Sequence, residues 1–271
     1  MKKCHINPKY ANEPRLQTFL ETLPASFADS GTMVWNGRNK IKIFSLPSQS
    51  DDSEELCIVA KRFKRLNFLQ KQIYAIRRNK ALRAFLNGME LCRRGIDTPE
   101  PIACVEIKQG PWIKDAFYLS GKTTLQSIEA QVDRPDWNRD LAKAFARFAA
   151  TLHDKGILHN DLNDTNVLYR QDEAGNFHFS VIDINRMKFC QPTHHISDKK
   201  CIENLTRFTG RIDLFAFVAR EYAKVRGLDT THWVAKAVRQ KDRHDYKWRW
   251  RKAVLHPIRH IRKMSARNKT A

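Results

Sequence analysis

His159-Asn160-Asp161-Leu162-Asn163-Asp164-Thr165-Asn166, with Phe179-Ser180-Val181-Ile182-Asp183-Ile184-Asn185 downstream, decides how this chain reads. The first segment carries a carboxylate, Asp161, and an amide, Asn166, five positions later. The second ends an apolar run on another carboxylate, Asp183. Together they are the parts needed to move a phosphoryl group from ATP to an alcohol. One acid takes or orients the hydroxyl proton, and two oxygen donors hold magnesium.

Alternating short runs lie upstream. Thr32–Asn36 and Lys40–Phe44 flank Asn36-Gly37-Arg38-Asn39, which predicts a β-hairpin turning at Gly37. A polar loop is expected over 47–55, then a third strand over Leu56–Phe63. Residues 79–94 place Leu82, Phe85, Leu86 and Met89 at helical spacing, and Gly95 ends that helix. Ile102–Ile107 and Trp112–Leu119 read as two more strands.

The second half reads as mainly helical. Leu141, Phe145, Phe148 and Leu152 form one apolar stripe. Val167–Tyr169 and Phe179–Asp183 predict a hairpin, and residues 198–226 and 230–252 two further helical regions. Residues 1–30 read as a loosely folded arm with a short helical piece at Arg15–Leu23. The expected division is 1–30 arm, 31–120 strand-rich unit, 121–230 helical unit and 231–271 basic extension, with the boundary near Ser120-Gly121-Lys122.

Bulk properties narrow the class. At 271 residues and 42% hydrophobic, the chain can bury a core. No run reaches the roughly 18 apolar residues that span a bilayer, and the N-terminus lacks an apolar signal core, so a cytosolic location is expected. Six scattered cysteines with no C-x-x-C pair read as reduced. The net charge of +20 points to polyanions: nucleic acid, anionic lipid or a phosphorylated substrate. Residues 236–271 carry thirteen Lys or Arg against two Asp, a net +11. Trp233, Tyr246, Trp248 and Trp250 interleave with that charge, as suits a membrane interface or a base-stacking surface; a solvated basic tail is the plainer reading.

The spacing from Asp161 to Asn166 is that of the kinase loop H-R-D-L-x-x-x-N, and Asp183 stands where the D-F-G aspartate would. Read alone, Asp161 would cap a turn and Asn166 would make an Asx-turn; the three at this spacing favour catalysis. His159 reads as a brace for the loop rather than a proton carrier. Ile58-Val59-Ala60-Lys61 mirrors V-A-I-K, making Lys61 the candidate clamp on the α- and β-phosphates. Between Glu55 and Asp97 the only acid is Glu90, the candidate ion-pair partner of Lys61. No G-x-G-x-x-G precedes it; Gly37 and Arg38 could offer backbone N–H groups and a charge to phosphate, or form an ordinary turn.

Five segments make the resemblance specific. Asn36–Lys42, the strand ending in Lys61, Gly95–Ile102, the catalytic loop and Asp183–Met187 resemble the lipopolysaccharide core kinases (Kdo/WaaP type, also called InaA-like) of Gram-negative bacteria, over roughly residues 30–225. The resemblance implies a two-lobed, protein-kinase-like α+β fold: a small antiparallel β lobe with one helix, and a larger, mainly helical lobe. It implies ATP and Mg2+ as cofactors and a Kdo or heptose hydroxyl of the lipid A–core glycolipid as acceptor. The enzyme would then lie peripherally on the anionic inner face of the inner membrane, with nucleic acid a less favoured partner.

Asn160 stands in place of the H-R-D arginine, Asn185 in place of the D-F-G glycine, and no A-P-E follows. These departures argue against a regulated protein kinase. Two competing readings stay open: a soluble phosphotransferase of the aminoglycoside or choline kinase kind, and a catalytically dead, polyanion-binding pseudokinase.

Overall fold

The structure, a computed structural model, describes residues 1–47, 55–64, 78–191 and 195–267, with side chains through residue 254. The expected polar loop at 47–55 lies almost wholly outside the described residues. The chain forms two compact units: residues 1–127 with 166–188, and residues 128–165 with 189–271.

The first unit is built on a six-stranded antiparallel sheet. Its strands are β1 (Lys2–Ile6), β2 (Thr32–Asn36), β3 (Lys40–Leu46), β4 (Leu56–Arg62), β5 (Pro101–Gln109) and β6 (Trp112–Gly121), in the order β1-β5-β6-β4-β3-β2. The predicted hairpin and strands are all present. Alternation along β4 sends Ile58 and Ala60 to one face, where they join Phe44, Val105, Phe117 and Leu119 in the core. Val59 and Lys61 take the opposite face. The helix Lys80–Arg93 packs on β5 and β6.

Residues 1–30 are not the loose arm expected. Lys2–Ile6 is an edge strand paired with β5, Cys4 opposite Val105. The helices Pro14–Thr22 and Ala25–Asp29 bury Leu16, Phe19, Leu20 and Phe27 in the sheet's core. Leu16, Phe19, Leu20 and Leu23 recur at helical spacing, so the segment has an apolar face to cover and the sheet supplies the cover. Lys42 is buried among them and donates to Ala28 O at 3.3 Å and Ser30 O at 2.6 Å, satisfying carbonyls at that helix's end.

A second antiparallel hairpin, Val167–Gln171 with Phe177–Val181, also belongs to this unit. Val181 N–H donates to Asp97 O at 3.1 Å, and Thr98 Oγ1 donates to Val181 O at 2.7 Å. These bonds fix the end of the strand that leads to Asp183.

The second unit is helical. Arg139–Asp154 packs on Ile212–Val225, which packs on the helix beginning at Thr230. Leu141, Phe145, Leu152, Phe208, Phe215 and Tyr222 fill the core, with Phe145 stacked on Phe208 at 4.0 Å. The last helix runs Thr230–Arg267. Its first turns bury Trp233, Ala237 and Lys241, and Lys241 is paired with Asp245 at 2.7 Å. Beyond Asp245 the aromatic side chains emerge, Tyr246, Trp248 and Trp250 each more than half exposed.

Candidate active site

In the first unit, β4 and the second hairpin bring Lys61 and Asp183 together. Lys61 Nζ donates to Asp183 Oδ1 at 2.8 Å. Asn185 Nδ2 donates to the same oxygen at 2.7 Å. Asp183 sits in the left-handed region, φ 55° and ψ 42°, which turns the chain sharply out of the strand. Aspartate tolerates that conformation better than most residues. Asn185, in place of a D-F-G glycine, therefore has a task of its own: its amide holds the carboxylate.

Asn166 is buried at the start of the same hairpin, and its carbonyl accepts from Ile182 N–H at 3.0 Å. That bond ties the Asn166 backbone to the residue preceding Asp183. No group of three or more His, Cys, Asp or Glu that could hold a metal occurs among the described residues. One carboxylate and one amide oxygen are nevertheless the hard donors that suit magnesium, which keeps waters and takes phosphate oxygens for its remaining positions.

Two expected roles need correction. Glu90 is not the partner of Lys61. Arg93 holds its carboxylate at 2.6 and 2.7 Å and Arg94 at 2.7 Å, pulling its pKa down to about 2. Guanidiniums three and four residues along the same helix reach it at little cost in order. The carboxylate that pairs with Lys61 is Asp183 itself, at 2.8 Å. Gly37 does not offer its N–H outward, because it donates within the turn to Asn39 O at 3.2 Å. A Cβ there would meet the Trp35 indole Nε1 at 2.5 Å, so the glycine makes room for that ring. Arg38 lies near enough to Lys80 for its charge to lower the Lys80 pKa.

Asp161 belongs to the second unit. Arg207 Nη1 donates to its Oδ1 at 3.2 Å, placing a guanidinium beside Asp161 although Asn160 stands at the H-R-D arginine position. Asn160 has φ 60°, and its N–H donates to Asn204 Oδ1 at 2.8 Å. With that oxygen engaged, Asn204 Nδ2 donates to His153 Nε2 at 2.9 Å. Neutral His153 then carries its proton on Nδ1 and donates to Tyr222 Oη at 2.8 Å, where Arg226 also donates at 3.0 Å. His159 is fully buried in this unit. The buried chain Asn204–His153–Tyr222 braces the loop's left-handed turn. Neither Asn204 nor Arg207 has a local motif; they lie 44 and 46 residues beyond their partners.

Burial, helped by the nearby Arg226 charge, pushes the His153 pKa from 6.5 down to about 3. The stability supplied by its neutral form is complete above pH 6.5 and is lost as pH falls toward 3, because only the unfolded chain takes the proton in that window. The slope is about 1.4 kcal/mol per pH unit. In urea denaturation, lowering pH from about 7 to 5 is expected to cost the native protein about 2 kcal/mol more than it costs His153→Gln. Equal losses in the two proteins would remove His153 from this role.

The family model for the lipopolysaccharide kinase (Kdo/WaaP) family matches residues 65–227. No curated protein sequence matches the chain. Among solved structures, WaaP in complex with acyl carrier protein is similar with a TM-score of 0.57 at 15% identity, over 89% of this chain and 98% of that one. The Rio2 kinase–ADP/Mg2+–phosphoaspartate complex from Chaetomium thermophilum aligns with a TM-score of 0.43 at 15% identity, over 84% of this chain and 76% of that one. The likeness to WaaP shows a shared, protein-kinase-like fold. Because the family match spans more than half of the sequence, the chain belongs to the lipopolysaccharide kinase (Kdo/WaaP) family and is a phosphotransferase.

Proposed function

We propose that this protein uses ATP to phosphorylate a sugar hydroxyl, on Kdo or heptose of the lipopolysaccharide inner core, at the cytoplasmic face of the inner membrane. The observation that carries this reading is the 2.8 Å pair between Lys61 and Asp183, one cation and one carboxylate delivered by two separate strand ends. A lysine so placed serves the α- and β-phosphates, and Arg38 adds charge from the hairpin turn. Asp183 and Asn166 would hold Mg2+, which when bound neutralises charge on the phosphoryl oxygens. Asp161 orients the acceptor hydroxyl and takes its proton as the new oxygen–phosphorus bond forms and the bond to the departing ADP breaks. Arg207 fixes one oxygen of that carboxylate.

Mass spectrometry of lipid A–core from cells with and without the gene tests the reading. A gain of about 80 Da, one phosphate, on a core sugar is expected only with the gene present. Identical core masses would refute it.

The basic C-terminal helix supports the membrane location. Among the described residues, no helix is long and apolar enough to cross a bilayer. Tyr246 and Trp250 share one side of the helix and Trp248 lies on the other, so attraction rests on charge spread around it more than on one apolar face. Each cation near an anionic surface adds about 1 kcal/mol. Because Trp233, Ala237 and Lys241 are core residues, the informative truncation removes 246–271 and leaves Asp245 on Lys241. It is expected to weaken binding to anionic vesicles by about tenfold or more while turnover on a soluble acceptor persists. Unchanged vesicle binding would overturn this location for the helix. The WaaP structure holds acyl carrier protein; binding of a carrier protein that is lost on truncation while vesicle binding persists would instead assign the helix to that partner.

A further inference from the structure

The helix Lys80–Arg93 breaks a local rule at its start. Its N-cap is conventional, with Asn79 Oδ1 accepting from Ala81 N–H at 2.8 Å and Leu82 N–H at 3.0 Å. The first turn, however, has no acidic residue and begins on Lys80, with Arg83 three residues on. Both cations stand at the positive end of the helix dipole, where positive charge is disfavoured. More positive charge collects there. The half-buried Lys80 ammonium is held below its ordinary pKa first by burial, then by Arg38, Arg186 and Arg83, against Asp183 alone raising it. Arg186 lies on the turn Ile184–Arg186, which packs on the same helix; Asn87 Nδ2 donates to Ile184 O at 2.7 Å.

Among the described residues, no carboxylate hydrogen-bonds Lys80, Arg83 or Arg38, and the buried Arg83 Nε has no partner. The nearby acid, Asp183, is already held by Lys61 and Asn185. A gathering of like charges at a helix end that repels them, with a buried donor unmet, is costly to the folded state. It is explained if the missing partner is an anion.

We propose that Lys80 and Arg83, assisted by Arg38, form a phosphate-binding subsite beside Asp183, distinct from the Lys61 clamp. This rests on the kinase reading above. Two sources supply the chemistry: the terminal phosphate of the nucleotide, or an anionic group of the acceptor. A phosphate there accepts from the Arg83 guanidinium and the Lys80 ammonium.

The test is Lys80→Glu with Arg83→Gln in the full chain. An acid at the first turn suits the helix dipole, so the melting temperature is expected to hold or rise, which separates lost binding from lost folding. Fluorescent ATP and ADP analogues are titrated with Mg2+, and KM is measured for the acceptor. Loss of a charge-assisted contact weakens binding by about tenfold to a hundredfold. If the nucleotide supplies the phosphate, ATP binding falls by that factor and ADP binding much less. If the acceptor does, nucleotide binding holds and acceptor KM rises by that factor. Lys80→Arg with Arg83→Lys is expected to keep most of the affinity. Unchanged nucleotide binding together with unchanged acceptor KM overturns the subsite. Native protein that binds no nucleotide overturns the kinase reading instead, so the two failures are distinguishable.

Discussion

Asp183→Asn is expected to lose phosphate transfer by about a thousandfold or more while the protein stays folded. Asparagine adopts the left-handed conformation as readily as aspartate, so the turn at φ 55° survives. Its amide oxygen can still accept from Lys61 and Asn185, which now meet at one Asp183 oxygen. What disappears is the charge. Lys61, Lys80 and Arg38 keep their cations with no carboxylate among them to balance a metal ion. Magnesium should therefore stop improving nucleotide binding in the variant, whereas it is expected to improve it strongly in the native protein. Titration of an ATP analogue with and without Mg2+ checks this. A variant that keeps both turnover and metal dependence would move the metal site elsewhere. Alanine is the poorer probe, because it also pays about 1–2 kcal/mol for the left-handed turn.

Asp161→Asn is expected to lower kcat by about a hundredfold with nucleotide affinity unchanged. The substitution is isosteric, and the amide oxygen still accepts from Arg207. The Asn160–Asn204–His153 chain that shapes the loop does not involve the 161 side chain. The variant should thus bind nucleotide and acceptor and fail at the proton. The loss falls short of that at Asp183 because phosphoryl transfer has a loose transition state and asks more of charge placement than of a base. Steady-state kinetics with both substrates varied reads the split. A fall in nucleotide affinity rather than in kcat would show that Asp161 serves binding.

The strands were legible where the information is local. Alternation over Thr32–Phe44 and Leu56–Phe63 placed β2, β3 and β4 to within two residues, and strand parity put Lys61 on the face opposite the main core. The spacing of Asp161, Asn166 and Asp183 depends on one loop and one hairpin, so it could be read directly. What escaped depends on distant partners. Lys2–Ile6 becomes a strand only because β5, about a hundred residues on, offers an edge. Asn204 looks like any helix residue until Asn160 adopts φ 60° and needs an acceptor. Glu90 drew attention as the only acid in its region, but Arg93 and Arg94 at adjacent helical positions claim it first. The cations at Lys80 and Arg83 left a visible sign, a basic first turn after an asparagine cap, which helix-end electrostatics marks as out of place.

The measurement closest to the central claim is transfer of labelled γ-phosphate from ATP, by purified full-length protein with Mg2+, offered lipid A–core glycolipid beside aminoglycoside and choline. Label is expected on one core sugar of the glycolipid alone, and it should vanish with Asp183→Asn. Label on the soluble amines, or protein that takes up no nucleotide in any divalent salt, would contradict the account.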